Sequence, residues 1–81
     1  MRILISYPTE IGIFDIGQTP DRKYHAIFNE QSLGIYKSVQ DAVDALVKNE
    51  TSDVLHPETF ELIDTTTLGI VEDYTQWDSN Y

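Results

Sequence analysis

The chain has 81 residues, contains no cysteine and carries a formal net charge of −9 at neutral pH. A chain of this length forms a single domain, here residues 1–81, with a small hydrophobic core. The absence of cysteine excludes disulfide bonds, thiolate metal sites and a sulfur nucleophile. No apolar run approaches the roughly 20 residues that span a membrane, and the N-terminal residues do not predict a signal peptide. We therefore expect a cytoplasmic protein that does not bind membranes.

The charge is unevenly distributed along the chain. Residues 1–48 hold all five basic residues and six acidic ones, whereas residues 49–81 hold eight acidic residues and neither lysine nor arginine. A surface with this balance repels phosphate backbones, so direct binding to nucleic acid is not expected. It attracts basic protein surfaces instead. The alternative interpretation is that these carboxylates only keep the protein soluble.

Four stretches within the first 37 residues have the composition of β-strands. Apolar, β-branched and aromatic residues are concentrated at residues 3–5, 11–16, 23–28 and 33–37. In the third stretch, Tyr24, Ala26 and Phe28 fall at alternate positions, which places their side chains on one face of the strand. Pro8 is expected to end the first strand. Because short polar turns separate the stretches, residues 1–37 predict an antiparallel β-meander of three to four strands.

Residues 38–48 predict the one amphipathic helix. Apolar residues recur at the spacing of a single helix face, and they are Val39, Ala42, Val43, Leu46 and Val47. Ser38 is placed to cap the first turn, with Asp41 three residues further on. A helix this short does not persist alone in water, so its apolar face must pack on the meander.

Residues 49–81, which we call the C-terminal segment, show no sustained periodic spacing of apolar residues. Short apolar pieces occur at 54–55 and 60–63, of which Phe60, Leu62 and Ile63 could form a strand or an ordered anchor, and residues 64–70 resemble a capped turn. Residues 71–77 have room for one or two helical turns. The apolar residues that could attach the segment to the rest of the domain are Leu68, Ile70, Tyr74 and Trp77. The predicted fold class is therefore α+β, a small meander with one helix on one face and an irregular acidic C-terminal segment.

Three sequence pieces resemble a group of small bacterial proteins of unassigned function. The pieces are LGIY at 33–36, DAVDAL at 41–46, and DTTTLGIVED at 64–73 followed by Trp77. The resemblance covers residues 24–77; it does not extend to residues 3–17, and it is interrupted at 53–60. It implies an "LGxY" strand, a short amphipathic helix and a bacterial or mobile-element origin. It implies no activity and no functional residue.

Few residues predict chemistry. The two histidines, His25 and His56, have no other histidine or cysteine at metal-ligand spacing, and a metal site needs three or four convergent ligands. We therefore predict no cofactor, no metal and no enzymatic activity. The alternative that the residues allow is a small metal-dependent enzyme that uses His56 together with Asp64, Glu72 and Asp73.

The end of the chain combines aromatic and acidic side chains without any cation. The residues predicted to bind a partner are Glu72, Asp73, Tyr74, Trp77, Asp78 and Tyr81. Large aromatic residues anchor protein interfaces and carboxylates steer cationic partners, so this composition favours an interface with a basic, partly apolar protein. The alternative for Tyr74 and Trp77 is that they fold back and attach the segment to the core.

The function that follows is a non-enzymatic binding module. It could act as an acidic inhibitor or immunity-type factor, including anti-defence or nucleic-acid-mimic roles, because carboxylates spaced on a small rigid body can replace phosphates. The metal-dependent enzyme is one alternative. Another is a structural homodimer formed through an exposed strand edge, so the sequence leaves open whether the protein is a monomer or a homodimer.

Overall fold

A computed structural model describes residues 1–79 of the chain. Seven β-strands and one α-helix follow one another along these residues, and two short 3₁₀ helices lie between the last two strands. The elements are β1 (Arg2–Thr9), β2 (Gly12–Gln18), β3 (Tyr24–Phe28), β4 (Gln31–Tyr36), α1 (Val39–Val47), β5 (Val54–Leu55), β6 (Leu62–Ile63), the 3₁₀ helices Thr65–Leu68 and Tyr74–Gln76, and β7 (Asp78–Ser79).

Strands β1 to β4 form an antiparallel meander, and β7 joins it, giving the strand order β4-β3-β2-β1-β7. Two-residue turns connect β1 to β2 and β3 to β4. In the second of these turns Asn29 and Glu30 both have positive φ, 52° and 65°. Such a pair of left-handed residues matches the right-handed twist of the flanking strands, which is why the strands stay closely paired through a short turn.

The sheet has one buried face, as the alternation of side chains predicts. Along β2, Phe14 and Ile16 are buried while Ile13 is exposed, and along β3, Ala26 and Phe28 are buried. Phe14 and Phe28 are cross-strand partners whose rings stack with centroids 4.5 Å apart. This pair fixes the register at the centre of the core.

Helix α1 covers the buried face of the sheet, as predicted. The Ser38 hydroxyl accepts a hydrogen bond from the Asp41 backbone N–H at 3.1 Å, which confirms the predicted cap. The helix contacts β2, β3 and β4 and buries its apolar face. The buried residues of that face are Ala42, Val43, Ala45 and Leu46.

The predicted α+β class is confirmed, and the sheet has five strands because the C-terminal segment contributes one. Asp78 and Ser79 pair with Ser6 and Ile5 at the far edge of β1. Strand β1 also continues through Pro8, where the sequence predicts its end. Proline is tolerated there because β7 pairs only beside residues 5 and 6, so no neighbour needs a backbone N–H from Pro8 on that side.

The rest of the C-terminal segment is a second, two-stranded sheet followed by irregular chain. Strands β5 and β6 form a small antiparallel hairpin. Among residues 1–79, no helix combines the length and apolar character needed to cross a membrane.

Candidate functional site

Four buried side chains attach the C-terminal segment to the body, which we define as residues 1–48. They are Val54, Thr65, Ile70 and Trp77. Thr65 is the buried polar residue among them, and its hydroxyl donates a hydrogen bond to the Leu46 carbonyl at the end of α1. That bond adds a second donor to a carbonyl oxygen at the helix end, which also accepts from the Asn49 N–H at 3.3 Å. The segment is therefore attached to the body at several separated points.

Trp77 is one of these points, and it is not an exposed interface residue. Its side chain is 4% exposed, its ring centroid lies 5.2 Å from that of Tyr7, and its Nε1–H donates to the Val71 carbonyl at 3.0 Å. Of the two roles that the sequence leaves open for Trp77, attachment to the core is the one the structure supports. Ile70 is buried beside it, and Leu68 packs against the core with part of its surface exposed.

The other predicted partner-binding residues lie at the surface. Glu72, Asp73 and Asp78 are exposed, and the Tyr74 ring is 39% exposed. We call these four residues the C-terminal acidic surface. Tyr81, the sixth predicted residue, lies outside the described residues.

This surface is held against the start of α1 by a polar contact. The Gln40 side-chain amide donates to the Glu72 carbonyl at 2.9 Å and to the Asp44 carboxylate at 2.8 Å. The carboxylate of Asp44 on the helix therefore lies close to the backbone that carries Glu72 and Asp73.

Two aspartates cap the 3₁₀ helices, and their local hydrogen bonds favour the charged form. Asp64 accepts hydrogen bonds from the hydroxyl (2.6 Å) and the backbone N–H (2.9 Å) of Thr66, and these bonds hold the pKa of Asp64 below its usual range. The hydroxyl and N–H of Thr75 lower the pKa of Asp73 in the same way. Both carboxylates are therefore ionised at neutral pH.

The carboxylates of the C-terminal segment form no ion pair with a basic side chain among residues 1–79. All eight of its carboxylates belong to exposed residues, and none lies within 4 Å of a lysine, arginine or histidine nitrogen of residues 1–79. The ion pair present among these residues joins Lys23 and Asp21 of the body, at 3.9 Å and with both side chains exposed.

The basic residues gather elsewhere, around a groove between β4 and α1 that we call the cation groove. It has a volume of about 860 Å³ and is lined by Asp21, Arg22, Lys23, Ile35, Tyr36, Lys37, Asp41, Asp44, Ala45, Lys48 and Glu50. Four of the five basic residues of the chain are in this lining, and the fifth, Arg2, lines a smaller groove that shares Arg22. Burial, together with the nearby Glu50 charge, raises the pKa of Tyr36 in the larger groove.

The four residues of the metal-dependent alternative do not converge. No three histidine, aspartate or glutamate side chains of residues 1–79 are placed to hold a metal ion. Asp64 and Asp73 cap different 3₁₀ helices, and His56 Nδ1 accepts hydrogen bonds from the backbone N–H groups of Glu58 and Thr59. The other histidine, His25, has its Nδ1 atom 2.9 Å from the Ser32 hydroxyl.

The strand edge required by the homodimer alternative is partly occupied. Strand β4 is the outer strand of the sheet, and the carbonyl oxygen of Leu33 accepts a hydrogen bond from the Ser52 N–H at 2.9 Å. The chain that follows α1 thus covers part of the edge that a second copy would need for pairing.

The structure also exposes apolar side chains that the sequence does not identify as functional. Leu55, Phe60 and Leu62, on the β5–β6 hairpin and its tip, are 48%, 73% and 67% exposed. Periodicity cannot reveal this, because two-residue strands show no period. The only available signal is the proximity of apolar and acidic residues between positions 53 and 63.

Comparison of the chain with known proteins gives no matching family model, no matching curated protein and no matching solved structure. The resemblance to small bacterial proteins therefore stays a prediction, and the site must be interpreted from its own geometry.

Proposed function

We propose that this protein is a non-enzymatic binding module that covers a basic surface of a partner protein, as an acidic inhibitor or immunity-type factor does. The observation that carries the proposal is the separation of charge. The eight carboxylates of the C-terminal segment are exposed and form no ion pair within residues 1–79, and all of them except Glu50 lie outside the lining of the cation groove, which holds four of the five basic residues.

This separation matters because opposite charges at an interface steer the encounter and reject like-charged partners. If the carboxylates were mixed with cations, the opposite charges would largely cancel. Salt would then screen the remaining field beyond the Debye length of about 8 Å at physiological ionic strength. In this protein four of the five basic residues line a groove between β4 and α1. The backbone at Glu72 is instead held by the side-chain amide of Gln40, an uncharged residue of α1. The C-terminal acidic surface therefore presents a field of one sign. We propose the cytoplasm as the place of this encounter.

The direct test is affinity capture from an extract of the native host with the intact chain and a neutralised variant. The variant Glu72→Gln/Asp73→Asn/Asp78→Asn removes three charges, and asparagine retains the capping function of Asp73. We expect the captured protein to have a basic surface and to bind this variant about tenfold more weakly, because each interface charge contributes up to about 1 kcal/mol.

A matched control separates local charge from net charge. Asp21→Asn/Asp41→Asn/Glu50→Gln also removes three charges, but from the lining of the cation groove and not from Asp44, which shares Gln40 with Glu72. This control should bind the captured protein within about twofold of the intact chain, since only long-range attraction changes. Equal weakening in both variants, or capture of nucleic acid instead of protein, would contradict the proposal.

Substitution is a sharper test than truncation. A chain that ended at Gly69 would lose Ile70, Trp77 and strand β7, which belong to the core and the sheet. Loss of binding by such a chain would report unfolding rather than the position of the site.

A further inference from the structure

The β5–β6 hairpin presents an apolar pair to solvent. Leu55 and Leu62 are direct cross-strand partners, as are Val54 and Ile63. Side chains of paired residues lie on the same face of an antiparallel ladder, and neighbours along a strand lie on opposite faces. Because Val54 is buried and Ile63 packs against the core, Leu55 and Leu62 share the outer face.

Phe60 extends this pair at the tip of the hairpin. It is 73% exposed, and its φ is 60°, a conformation that bulky residues rarely adopt. The tip is ordered by His56, whose carbonyl accepts from the Phe60 N–H at 2.9 Å and whose Nδ1 accepts from the Glu58 and Thr59 N–H groups at 3.1 and 3.3 Å. An ordered tip that presents an aromatic ring has little conformational entropy to lose on binding.

A concave surface of mixed polar and apolar side chains lies beside the ring. A groove of about 490 Å³ is lined by Phe28, Asn29, Gln31, Leu33, Ser52, Asp53, Val54, Leu55, His56, Pro57 and Phe60. A shallower groove of about 300 Å³ shares Phe28, Asn29 and Pro57 with it and reaches the exposed Ile13. A side chain inserted here would contact apolar groups and be shielded from water, as interface anchors are.

The charges around the hairpin determine which kind of partner could bind there favourably. Asp53, Glu58 and Glu61 belong to the hairpin region and are exposed, and no lysine or arginine occurs after Lys48. A second copy of this chain would bring the same carboxylates together, and like charges in an interface are unfavourable. Lysine or arginine on a different protein would be favourable.

We propose that Leu55, Phe60 and Leu62 form a docking surface, hereafter the hairpin surface, for an apolar side chain of a partner protein that is flanked by lysine or arginine. This inference rests on the proposed function and deepens it, because it assigns the apolar anchor of the interface to the hairpin. The C-terminal acidic surface then contributes steering.

The test is selection of a displayed library of random peptides on the full chain, followed by affinity measurements on variants. Phe60→Asn/Leu62→Thr removes the apolar groups, and asparagine tolerates the positive φ while threonine suits a strand. The control Ile35→Thr removes a side chain that is equally exposed, at 60%, on β4. Thermal unfolding of both variants should stay close to that of the intact chain.

We expect selected peptides to combine lysine or arginine with large apolar residues, and to bind the hairpin variant at least about tenfold more weakly while binding Ile35→Thr normally. Equal binding to the hairpin variant, peptides without cations, or a library that yields no binder would overturn the inference. Sedimentation that shows a dimer disrupted by Phe60→Asn/Leu62→Thr would also overturn it, since the occupant would then be a second copy.

Failure of this inference is distinguishable from failure of the proposed function. If the native partner binds the hairpin variant normally but binds the neutralised variant of the C-terminal acidic surface weakly, only the hairpin surface is wrong. If the native partner binds the neutralised variant of the C-terminal acidic surface as tightly as the intact chain, the proposed function itself is wrong.

Discussion

The body and the C-terminal segment are held in the native structure in different ways. In the body, strand alternation and the helix period bury a continuous set of side chains on one face of the sheet and one face of α1. In the segment, single residues such as Val54 and Trp77 are buried while their sequence neighbours stay exposed. An irregular chain attached at separated points can thus be ordered and still present most of its side chains to solvent.

The same two regions differ in charge, and this difference is the basis for the proposed function. Basic residues of the body lie beside acidic ones in the lining of the cation groove. The segment has no basic residue, and its aspartates at 64 and 73 are further held in the ionised form by threonine hydroxyls. The segment therefore carries −8 of the net charge of −9, since its eight carboxylates have no basic residue beside them in the sequence, whereas the five basic and six acidic residues of the body sum to −1.

The largest expected effect is the loss of Trp77, which would break the attachment of the segment. Trp77→Ala removes a buried ring, its contact with Tyr7 and its hydrogen bond to the Val71 carbonyl. We expect a loss of about 3–5 kcal/mol in the free energy of unfolding, a large part of the total for a domain of this size. Urea unfolding followed by far-UV circular dichroism measures it.

The control for that substitution is Tyr74→Ala in the same part of the chain. Because Tyr74 is 39% exposed and outside the buried core, its removal should cost less than about 1 kcal/mol. Similar losses for the two variants would mean that the segment is not attached through Trp77.

Thr65 gives a second test of the attachment, with a smaller effect. Thr65→Val keeps the shape of the side chain but removes its hydrogen bond to the Leu46 carbonyl, which retains the Asn49 N–H at 3.3 Å. We expect a destabilisation of about 0.5–1.5 kcal/mol, the net contribution of one hydrogen bond. Thr67→Val, at an exposed position of the same 3₁₀ helix, should cost less; the reverse order in urea midpoints would rule out the role assigned to Thr65.

A substitution in the body should raise the free energy of unfolding rather than lower it. Glu30 has positive φ in the two-residue turn between β3 and β4, where glycine is the preferred residue. We expect Glu30→Gly to raise the free energy of unfolding by up to about 1 kcal/mol, since strain is relieved at an exposed site. Glu10→Gly in the turn between β1 and β2 is the comparison, because Glu10 does not have positive φ and should gain nothing. An unchanged or lowered melting temperature for Glu30→Gly contradicts this account of the turn.

The smallest expected effect concerns pH. Asp64 and Asp73 have pKa values below the ordinary 3.8, so their contribution to stability is present above that pH and is lost as the pH falls through the lowered values. Asp64→Asn/Asp73→Asn should therefore lose less stability on acidification below pH 3.8 than the intact chain does. Urea midpoints measured at a series of acidic pH values test this, with Asp53→Asn/Glu58→Gln as a control that caps no helix. Parallel curves for the intact chain and the capping variant would exclude the capping contribution.

The sequence is sufficient to predict the body. Alternation in residues 23–28 and the five apolar positions of α1 identify the buried faces, and Ser38 identifies the helix start. It does not predict β7, because Asp78 and Ser79 carry no strand pattern and their pairing with β1 joins residues far apart in the chain. The sequence also predicts the partner-binding residues only in part. Trp77 suits a core or an interface equally well by composition, and only three-dimensional packing distinguishes the two.

The exposed hairpin residues show the same limit of sequence-based prediction in the opposite case, because here apolar residues lie at the surface. Apolar residues such as Phe60 and Leu62 normally predict burial, and here the pairing of Leu62 with Leu55 places both on the outer face. Sequence reasoning on two-residue strands has no period to decide which face is outward.

The measurement that tests the central claim most directly is the salt dependence of the affinity for the native partner. Titration calorimetry at increasing salt would compare the intact chain, the neutralised variant Glu72→Gln/Asp73→Asn/Asp78→Asn and the control Asp21→Asn/Asp41→Asn/Glu50→Gln. We predict that affinity falls as salt rises for the intact chain and the control, and that the neutralised variant shows a clearly shallower dependence. Affinity that does not change with salt, or the same slope in all three proteins, would contradict the account.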